Sequence, residues 1–212
     1  MTSDRSATAS NLGVLLAEAG LAALTEAESL SLASYLELIL RWNARTNLTA
    51  IRDVDRILRR HFVESIACAR SLPGGIRSLL DFGSGAGFPG IPIAVCRPEL
   101  QVTLAEAQNK KAAFLNEVLR TLQLHAQVFS GRAESIRSRF DCVTLRAVER
   151  MGSAIEAAVG LLSPTGYLAV MTTESNLHQV IIAAGPSFQW AQEIPLKGSE
   201  QRILVFGSRG MS

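Results

Sequence analysis

Lysine is nearly missing from this chain. Of its 21 cationic residues only Lys110, Lys111 and Lys197 are lysine and the other 18 are arginine. Any positive surface is therefore built from guanidinium groups, which suit planar, bidentate recognition of phosphates and base edges. Cysteine is sparse as well. Cys68, Cys96 and Cys142 are odd in number and far apart, which excludes a disulfide framework and a metal-binding spacing; each reads as a small buried hydrophobe, and no metal site is expected. No apolar run approaches the roughly 18 residues of a membrane span, and residues 1–10 lack the apolar stretch of a secretory signal. A cytoplasmic location and no membrane partner are expected. With 48% hydrophobic residues against 19% charged ones over 212 positions, the chain can bury a sizeable core, and a wholly disordered state is excluded.

The net charge of +2 conceals an uneven distribution. Residues 1–40 hold one Arg and five acids, residues 41–77 hold eight Arg and three acids, and the remainder is almost balanced. Up to about Ser71 the chain reads as helix. Thr25 with Glu28 forms a capping box ahead of Leu32, Tyr35, Leu36, Ile39 and Leu40, which predicts a helix over 26–44. Gly20 ends an earlier helix starting near Asn11, and a third is expected from Asp53 to about Arg70. Projected at 100° per residue, Arg52, Arg56, Arg59 and Arg60 fall on one side of that third helix and Ile57, Leu58, His61, Phe62, Cys68 and Ala69 on the other. Taken alone, such a stripe reads as a solvated helix face.

Ser71-Leu-Pro-Gly-Gly-Ile76 is the one clear linker, dividing a helical extension, 1–72, from a second unit, 73–212. Beyond it short apolar runs alternate with helical ones, the pattern of parallel βαβ units. Strands are expected near 77–82, 101–106, 126–129, 141–145, 166–171, 188–194 and 201–206, and helices near 90–97, 109–122, 151–162 and 175–184. The last two strands follow without a helix between them, joined by a turn over Pro195–Ser199. The fold class is thus α/β: a mostly parallel seven-stranded sheet finished by an antiparallel C-terminal hairpin strand, with a helical N-terminal extension.

The first strand runs into Gly83-Ser-Gly-Ala-Gly-Phe-Pro-Gly90. Closely spaced glycines permit positive φ and close approach of backbone to a ligand, and the following helix offers N–H groups at its start. A nucleotide-type cofactor is implied, but Gly85-x-Gly87-x-x-Gly90 also matches the dinucleotide fingerprint. Two acids bear on the choice. Asp81, just before the loop, can attract an amino-bearing ligand and would repel a pyrophosphate; Glu106, ending the second strand, is placed to accept from ribose hydroxyls. Together they suit S-adenosylmethionine, with NAD and a purely structural turn as the alternatives.

Asp81-Phe-Gly-Ser-Gly-Ala-Gly-Phe-Pro-Gly-Ile-Pro92, followed by Arg97-Pro98, Lys110-Lys111 with Phe114-Leu115, and Phe140-Asp141 leading to Arg146-Ala147, resembles the ribosomal RNA small subunit methyltransferase G family, also called glucose-inhibited division protein B. Trp42-Asn43, Asn47-Leu48-Thr49 and His61-Phe62 with Ser65 match its helical part, so the likeness covers about 35–206. The resemblance implies a Rossmann-like class I methyltransferase that uses S-adenosylmethionine to methylate N7 of a guanine in 16S ribosomal RNA, bare or within the small ribosomal subunit, and acts as a monomer. It implies a cofactor site of Gly83, Ser84, Gly85, Gly87 and Phe88, with Glu106, Ala107 and Gln108 at the ribose and Ala133 and Glu134 flanking the adenine. Arg146 closes that site and, with Arg132 and Arg202, faces the RNA or the reaction centre; Arg52, Arg56, Arg59 and Arg60 contact RNA phosphates. The chain departs from the family pattern at Thr172-Thr173, where Lys-Gly is usual, at Glu64, where Asp is usual, and at Phe206-Gly-Ser, where the last strand usually ends in basic residues.

Methylation at N7 removes no proton, so the chemistry asks for alignment and desolvation rather than a base. Leu145-Arg146-Ala147 stands where exocyclic-amine methyltransferases have Asn/Asp-Pro-Pro-Tyr, and Cys142 lies inside a strand, badly aimed for a nucleophile. Arginine commonly reads guanine through O6 and N7 together, which would occupy the attacking lone pair, so Arg146 is expected at O6, a phosphate or the methionine carboxylate. His61 reads as a hydrogen-bonded core histidine, Trp42 and Trp190 as packing residues, Lys110 and Lys111 as solvated, and Phe88 as divided between cofactor contact and packing. A small NAD-dependent oxidoreductase and a non-catalytic RNA-binding module are the other readings; the first lacks a Tyr-x-x-x-Lys, and only Thr172-Thr173 hints at the second.

Overall fold

The computed structural model describes residues 2–148, 150–197 and 201–209. Helix α1 spans Thr2–Glu18, starting well before Asn11, because nothing in the Ala- and Ser-rich stretch from Thr2 to Ser10 breaks a helix. Arg5 fastens it to Glu37 of the next helix at 2.7 Å, and Gly20, with φ +72°, turns the chain after it. The Thr25–Glu28 capping box opens α2, Glu26–Asn43. Asp53 accepts from the Arg56 N–H at 2.8 Å and caps α3, Val54–Ile57. The expected third helix is not uniform: a π-helical stretch, Leu58–Val63, separates α3 from α4, Glu64–Ser71. A π turn holds an extra residue, so a 3.6-residue projection fails across it, and the four arginines do not share one face. Arg52 and Arg56 are exposed, Arg59 pairs with Asp55 and Glu18 at 2.8 Å, and Arg60 turns inward toward Glu64.

The sheet comprises β1 Ser78–Phe82, β2 Gln101–Glu106, β3 Ala126–Ser130, β4 Phe140–Arg146, β5 Leu162–Thr173, β6 Phe188–Trp190, β7 Ile194–Pro195 and β8 Arg202–Arg209. Between them run α5 Gly90–Cys96, α6 Asn109–Leu122, α7 Met151–Gly160 and α8 Glu174–Ala184. The order is β3-β2-β1-β4-β5-β8-β6, with β7 also on β8. β1 to β5 are parallel and β8 is antiparallel to β5, β6 and β7. The single strand expected over 188–194 is two short ones, because Gln192 and Glu193 interrupt the apolar alternation and Pro195 has no N–H to donate to the ladder. The expected Pro195–Ser199 turn lies partly outside the described residues.

Alternate residues of the sheet feed two cores. Leu79, Leu104 and Cys142 pack with the helical extension, through Leu16, Tyr35, Ile39, Phe62 and Ile66, and with Ile91 and Phe114. Leu80, Val143, Leu145, Val170 and Val205 pack under α7 and α8. The extension thus covers one face of the sheet and shares its core. Cys68 and Cys142 are buried within it, and burial raises the Cys68 thiol to about 12. No described helix is long and apolar enough to cross a membrane.

Candidate active site

In this strand order the chain winds outward from β1 through β2 and β3, then returns to lay β4 on the other side of β1. That reversal places a cleft at the C-terminal ends of the strands, here of about 880 Å³. Glu106 ends the strand on one side of β1 and Arg146 the strand on the other.

The loop after β1 is held by its own environment. Gly83, Gly85 and Gly87 all have positive φ. A Cβ on Gly87 would lie 2.6 Å from Ile91 Cγ1 and 2.8 Å from Tyr35 Oη, whereas one on Gly85 would meet nothing nearer than the Gly83 carbonyl at 3.9 Å. Gly87 is thus small for packing, and Gly85 keeps the cleft floor clear. Asp81 does not face a ligand. Its carboxylate is buried, accepting from the Gly90 N–H at 3.2 Å and the Thr144 hydroxyl at 3.0 Å; burial raises its pKa to about 6, against those hydrogen bonds. The attraction expected from this residue is replaced by a brace between β1, β4 and α5. Glu106 does line the cleft. One of its oxygens accepts from the Gly85 N–H at 2.9 Å and the other from the Gln108 N–H at 2.7 Å, leaving two of the roughly four acceptor sites of a carboxylate unused.

Four of the loop's N–H groups, those of Ser84, Gly85, Gly87 and Gly90, are already committed and withdrawn from any phosphate. Ser84 N–H donates to Ala105 O at 2.9 Å and Gly87 N–H to Ser84 O at 2.7 Å, while Gly85 and Gly90 are committed to Glu106 and Asp81.

On the β4 side three guanidinium groups surround one buried carboxylate. The two hydrogens of Arg146 Nη2 are shared among three acceptors, the Arg60 carbonyl, His61 Nδ1 at 3.0 Å and Glu64 Oε2 at 3.1 Å. Arg202 Nε lies 3.3 Å and Arg60 Nε 4.0 Å from the same Glu64 carboxylate. Among the described residues, buried Arg60 Nε and Arg202 Nε and Nη2 have no hydrogen-bond acceptor, so three guanidinium groups gather round the Glu64 carboxylate with donors to spare at this end of the cleft. Burial lowers the Arg146 pKa to about 10, with Arg202 and Arg60 adding and Glu64 opposing; the group stays charged at neutral pH.

His61 is neutral. Burial, then the charges of Arg146, Arg60 and Arg202, push its pKa to about 3. Its ring stacks on Phe88 at 4.9 Å and 26°, and Phe88 also packs on Tyr35 and Phe62 at 5.2 Å. The Tyr35 hydroxyl donates to the Ala86 carbonyl. Phe88 thus has a core to fill, made by the extension, while one side of it still borders the cleft.

The neutral state of His61 carries a pH signature. Unfolded, it protonates below about 6.5; folded, it stays neutral to about pH 3, so the stability it contributes is complete above pH 6.5 and is lost as pH falls. Between pH 7 and pH 5 the loss is about 2 kcal/mol. Denaturant melts of His61→Gln and the parent protein at both pH values should show their stability difference shrinking by about that amount at pH 5; a constant difference contradicts the assignment.

Gly83, Ser84, Gly85, Phe88, Glu106, Ala107, Gln108, Arg132, Ala133, Glu134, Arg146 and Arg202 all line the cleft, and Gly87 lies behind its wall. Of the arginine stripe only Arg60 reaches it. Arg52 is tied to the Asn43 carbonyl and the Asn47 side chain at 2.8 and 2.7 Å. Sequence reasoning missed Glu64 as a charge partner, read Lys111 as solvated and gave Thr49 and Arg150 no role at the site, although Thr49, Lys111 and Arg150 also line the cleft. For Glu64 a signal was present, an acid four residues after Arg60 amid apolar neighbours, which is rarely left without a charged partner.

A reversed parallel sheet with a glycine loop after β1 and an acid ending β2 defines the Rossmann-like methyltransferase fold. The chain superposes on an O-methyltransferase from Bacillus cereus in complex with SAH with a TM-score of 0.57 at 18% identity, covering 83% of this chain and 91% of that one. A SAM-dependent methyltransferase from Aquifex aeolicus gives 0.58 at 16% identity, covering 73% and 93%. Within that class the model of the rRNA small subunit methyltransferase G family, GidB, matches residues 28–195, and the chain belongs to this family. It is 43% identical over 140 residues to the ribosomal RNA small subunit methyltransferase G of Xanthomonas axonopodis pv. citri (strain 306), a match covering 65% of each chain and so just under two thirds of that relative. It is 41% identical over 178 residues to the protein of the same name from Roseiflexus sp. (strain RS-1), covering 77% of this chain and 76% of that one.

Proposed function

We propose that the protein transfers a methyl group from S-adenosylmethionine to N7 of a guanine in 16S ribosomal RNA. The observation that carries this reading is the division of the cleft: on one side of the glycine loop a carboxylate with acceptor sites to spare and four loop N–H groups already committed, on the other an arginine cluster with buried donors that have no acceptor among the described residues. The first half suits a nucleoside ligand without phosphates. Ser84, Gly85, Gly87 and Gly90 have no N–H left to cradle a pyrophosphate, so NAD fits poorly. When bound, S-adenosylmethionine supplies an electrophilic methyl on a sulfonium. Gly83, Ser84 and Gly85 border it, Gly87 shapes the loop from behind and Phe88 closes one side. Glu106, with Ala107 and Gln108, accepts the ribose hydroxyls, and Ala133 and Glu134 flank the adenine.

The second half suits an anionic partner. Arg60, Arg146 and Arg202 present guanidinium groups there, and Arg132 approaches from the β3 side; on the extension the exposed Arg52 and Arg56 add positive charge for RNA phosphates, and Arg59 contributes only by exchanging Asp55 and Glu18 for a phosphate. N7 of guanine carries an in-plane lone pair and no proton, so the residues have only to align the base and exclude water. His61 agrees with that: it is neutral and both ring nitrogens are engaged. The reading includes a cytoplasmic monomer acting on RNA, bare or assembled, with 1–72 supplying contacts and 73–212 the reaction site. Calorimetric titration with S-adenosylmethionine and with NAD tests the cofactor assignment; micromolar binding of the first and none of the second is expected, and a preference for NAD contradicts it.

A further inference from the structure

A hydroxyl group ordinarily donates one hydrogen bond and accepts others, and rotates to suit its partner. Thr49 cannot, for a reason that starts at Arg146. Guanidinium groups have no acceptor, so His61 Nδ1, 3.0 Å from Arg146 Nη2, must be the unprotonated nitrogen of a neutral ring. The proton is then on Nε2, which lies 2.9 Å from Thr49 Oγ1 and donates to it. The Ile51 N–H donates to the same oxygen at 3.2 Å. Both lone pairs are taken, and what Thr49 has left is its O–H, for which no acceptor is found among the described residues. The residue stands on the cleft wall with His61, Phe88 and Arg146.

We propose that Thr49 is a specificity-determining residue: its hydroxyl donates to O6 of the target guanine, and the Arg146–His61–Thr49 chain fixes it as a donor. The inference rests on the guanine-N7 reading above. Guanine and adenine both present N7 in the major groove, and beside it guanine carries the O6 acceptor where adenine carries the N6 amino donor. A hydroxyl free to accept would tolerate either base. A hydroxyl with both lone pairs occupied favours guanine and faces the adenine amino group donor to donor. A single donor to O6 also leaves the N7 lone pair free to attack, which a bidentate arginine would not.

The test compares the parent protein, Thr49→Val and Thr49→Ser on RNA carrying either guanine or 2-aminopurine at the modified position. 2-Aminopurine keeps N7 and the 2-amino group and has hydrogen in place of O6. Thr49→Val is expected to lower kcat/KM about tenfold more on guanine than on 2-aminopurine, the loss of one hydrogen bond, so the ratio between the substrates falls about tenfold. Thr49→Ser keeps the parent ratio. Thr49→Val melts lower, because His61 Nε2–H and the Ile51 N–H lose their acceptor. The substrate ratio, which general destabilisation does not move, therefore carries the test, and Thr49→Ser keeps the parent melting temperature. An unchanged ratio in Thr49→Val, or equal losses on both substrates, overturns the proposal. If instead the parent protein yields no 7-methylguanine at all, the underlying reading fails.

Discussion

Replacing Arg146 with alanine is expected to slow methyl transfer by roughly two to three orders of magnitude, the range seen when one preorganised donor at a reaction centre is removed, while the dissociation constant of S-adenosylmethionine moves less than about threefold. The asymmetry follows from where the residue sits. Arg146 ends β4, across β1 from Glu106, and its Nη2 is anchored by the Arg60 carbonyl, His61 and Glu64. The substitution removes a charge from the arginine half of the cleft and the donor that sets the His61 tautomer, but no hydrogen bond made by the glycine loop or Glu106. Single-turnover methylation beside equilibrium titration separates the two effects. Turnover within a few-fold of the parent value, or a loss of cofactor binding as large as the loss of rate, contradicts the assignment.

The second large effect is on stability. Glu64 is fully buried and faces Arg146, Arg202 and Arg60 at 3.1, 3.3 and 4.0 Å. Taking away one partner of a buried ion pair leaves the other charged and desolvated, at a cost of about 3–5 kcal/mol, and here three cations lose the same counter-ion. Glu64→Ala should therefore melt on the order of 10 °C below the parent protein. Glu64→Asp keeps the charge and should fall between them. Because the deficit is one of negative charge, inorganic phosphate at tens of millimolar is expected to raise the melting temperature of Glu64→Ala more than that of the parent. Equal shifts would mean that the loss comes from packing alone.

How much of this was legible in the sequence depended on the distance over which each feature is set. Strands β1 to β5, the Thr25–Glu28 cap and the strand, loop and helix order around Gly83 are local patterns, and they stand within a residue or a few of their expected limits. The exceptions are where neighbours outweigh local pattern. A helical projection assumes one pitch, so it missed the π turn at Leu58–Val63 and grouped Arg60 with arginines that face elsewhere. Asp81 was visible as an acid beside a glycine loop, but whether its carboxylate turned to the ligand or to the Gly90 N–H depended on Thr144, 63 positions away. Phe88 looked surplus to packing until α2 brought Tyr35 beneath it. The partners of Glu64 come from a helix and the ends of two strands, and no spacing rule links Arg60, Arg146 and Arg202.

The most direct measurement is methyl transfer from labelled S-adenosylmethionine to small ribosomal subunits and to bare 16S RNA, with the modified nucleotide mapped and identified by mass spectrometry. The account predicts one modified position, carrying 7-methylguanine, formed at a rate that does not change between pH 7 and pH 9 because no side chain must take a proton. Methylation at another base atom, or a rate that climbs with pH as a base is uncovered, would contradict it.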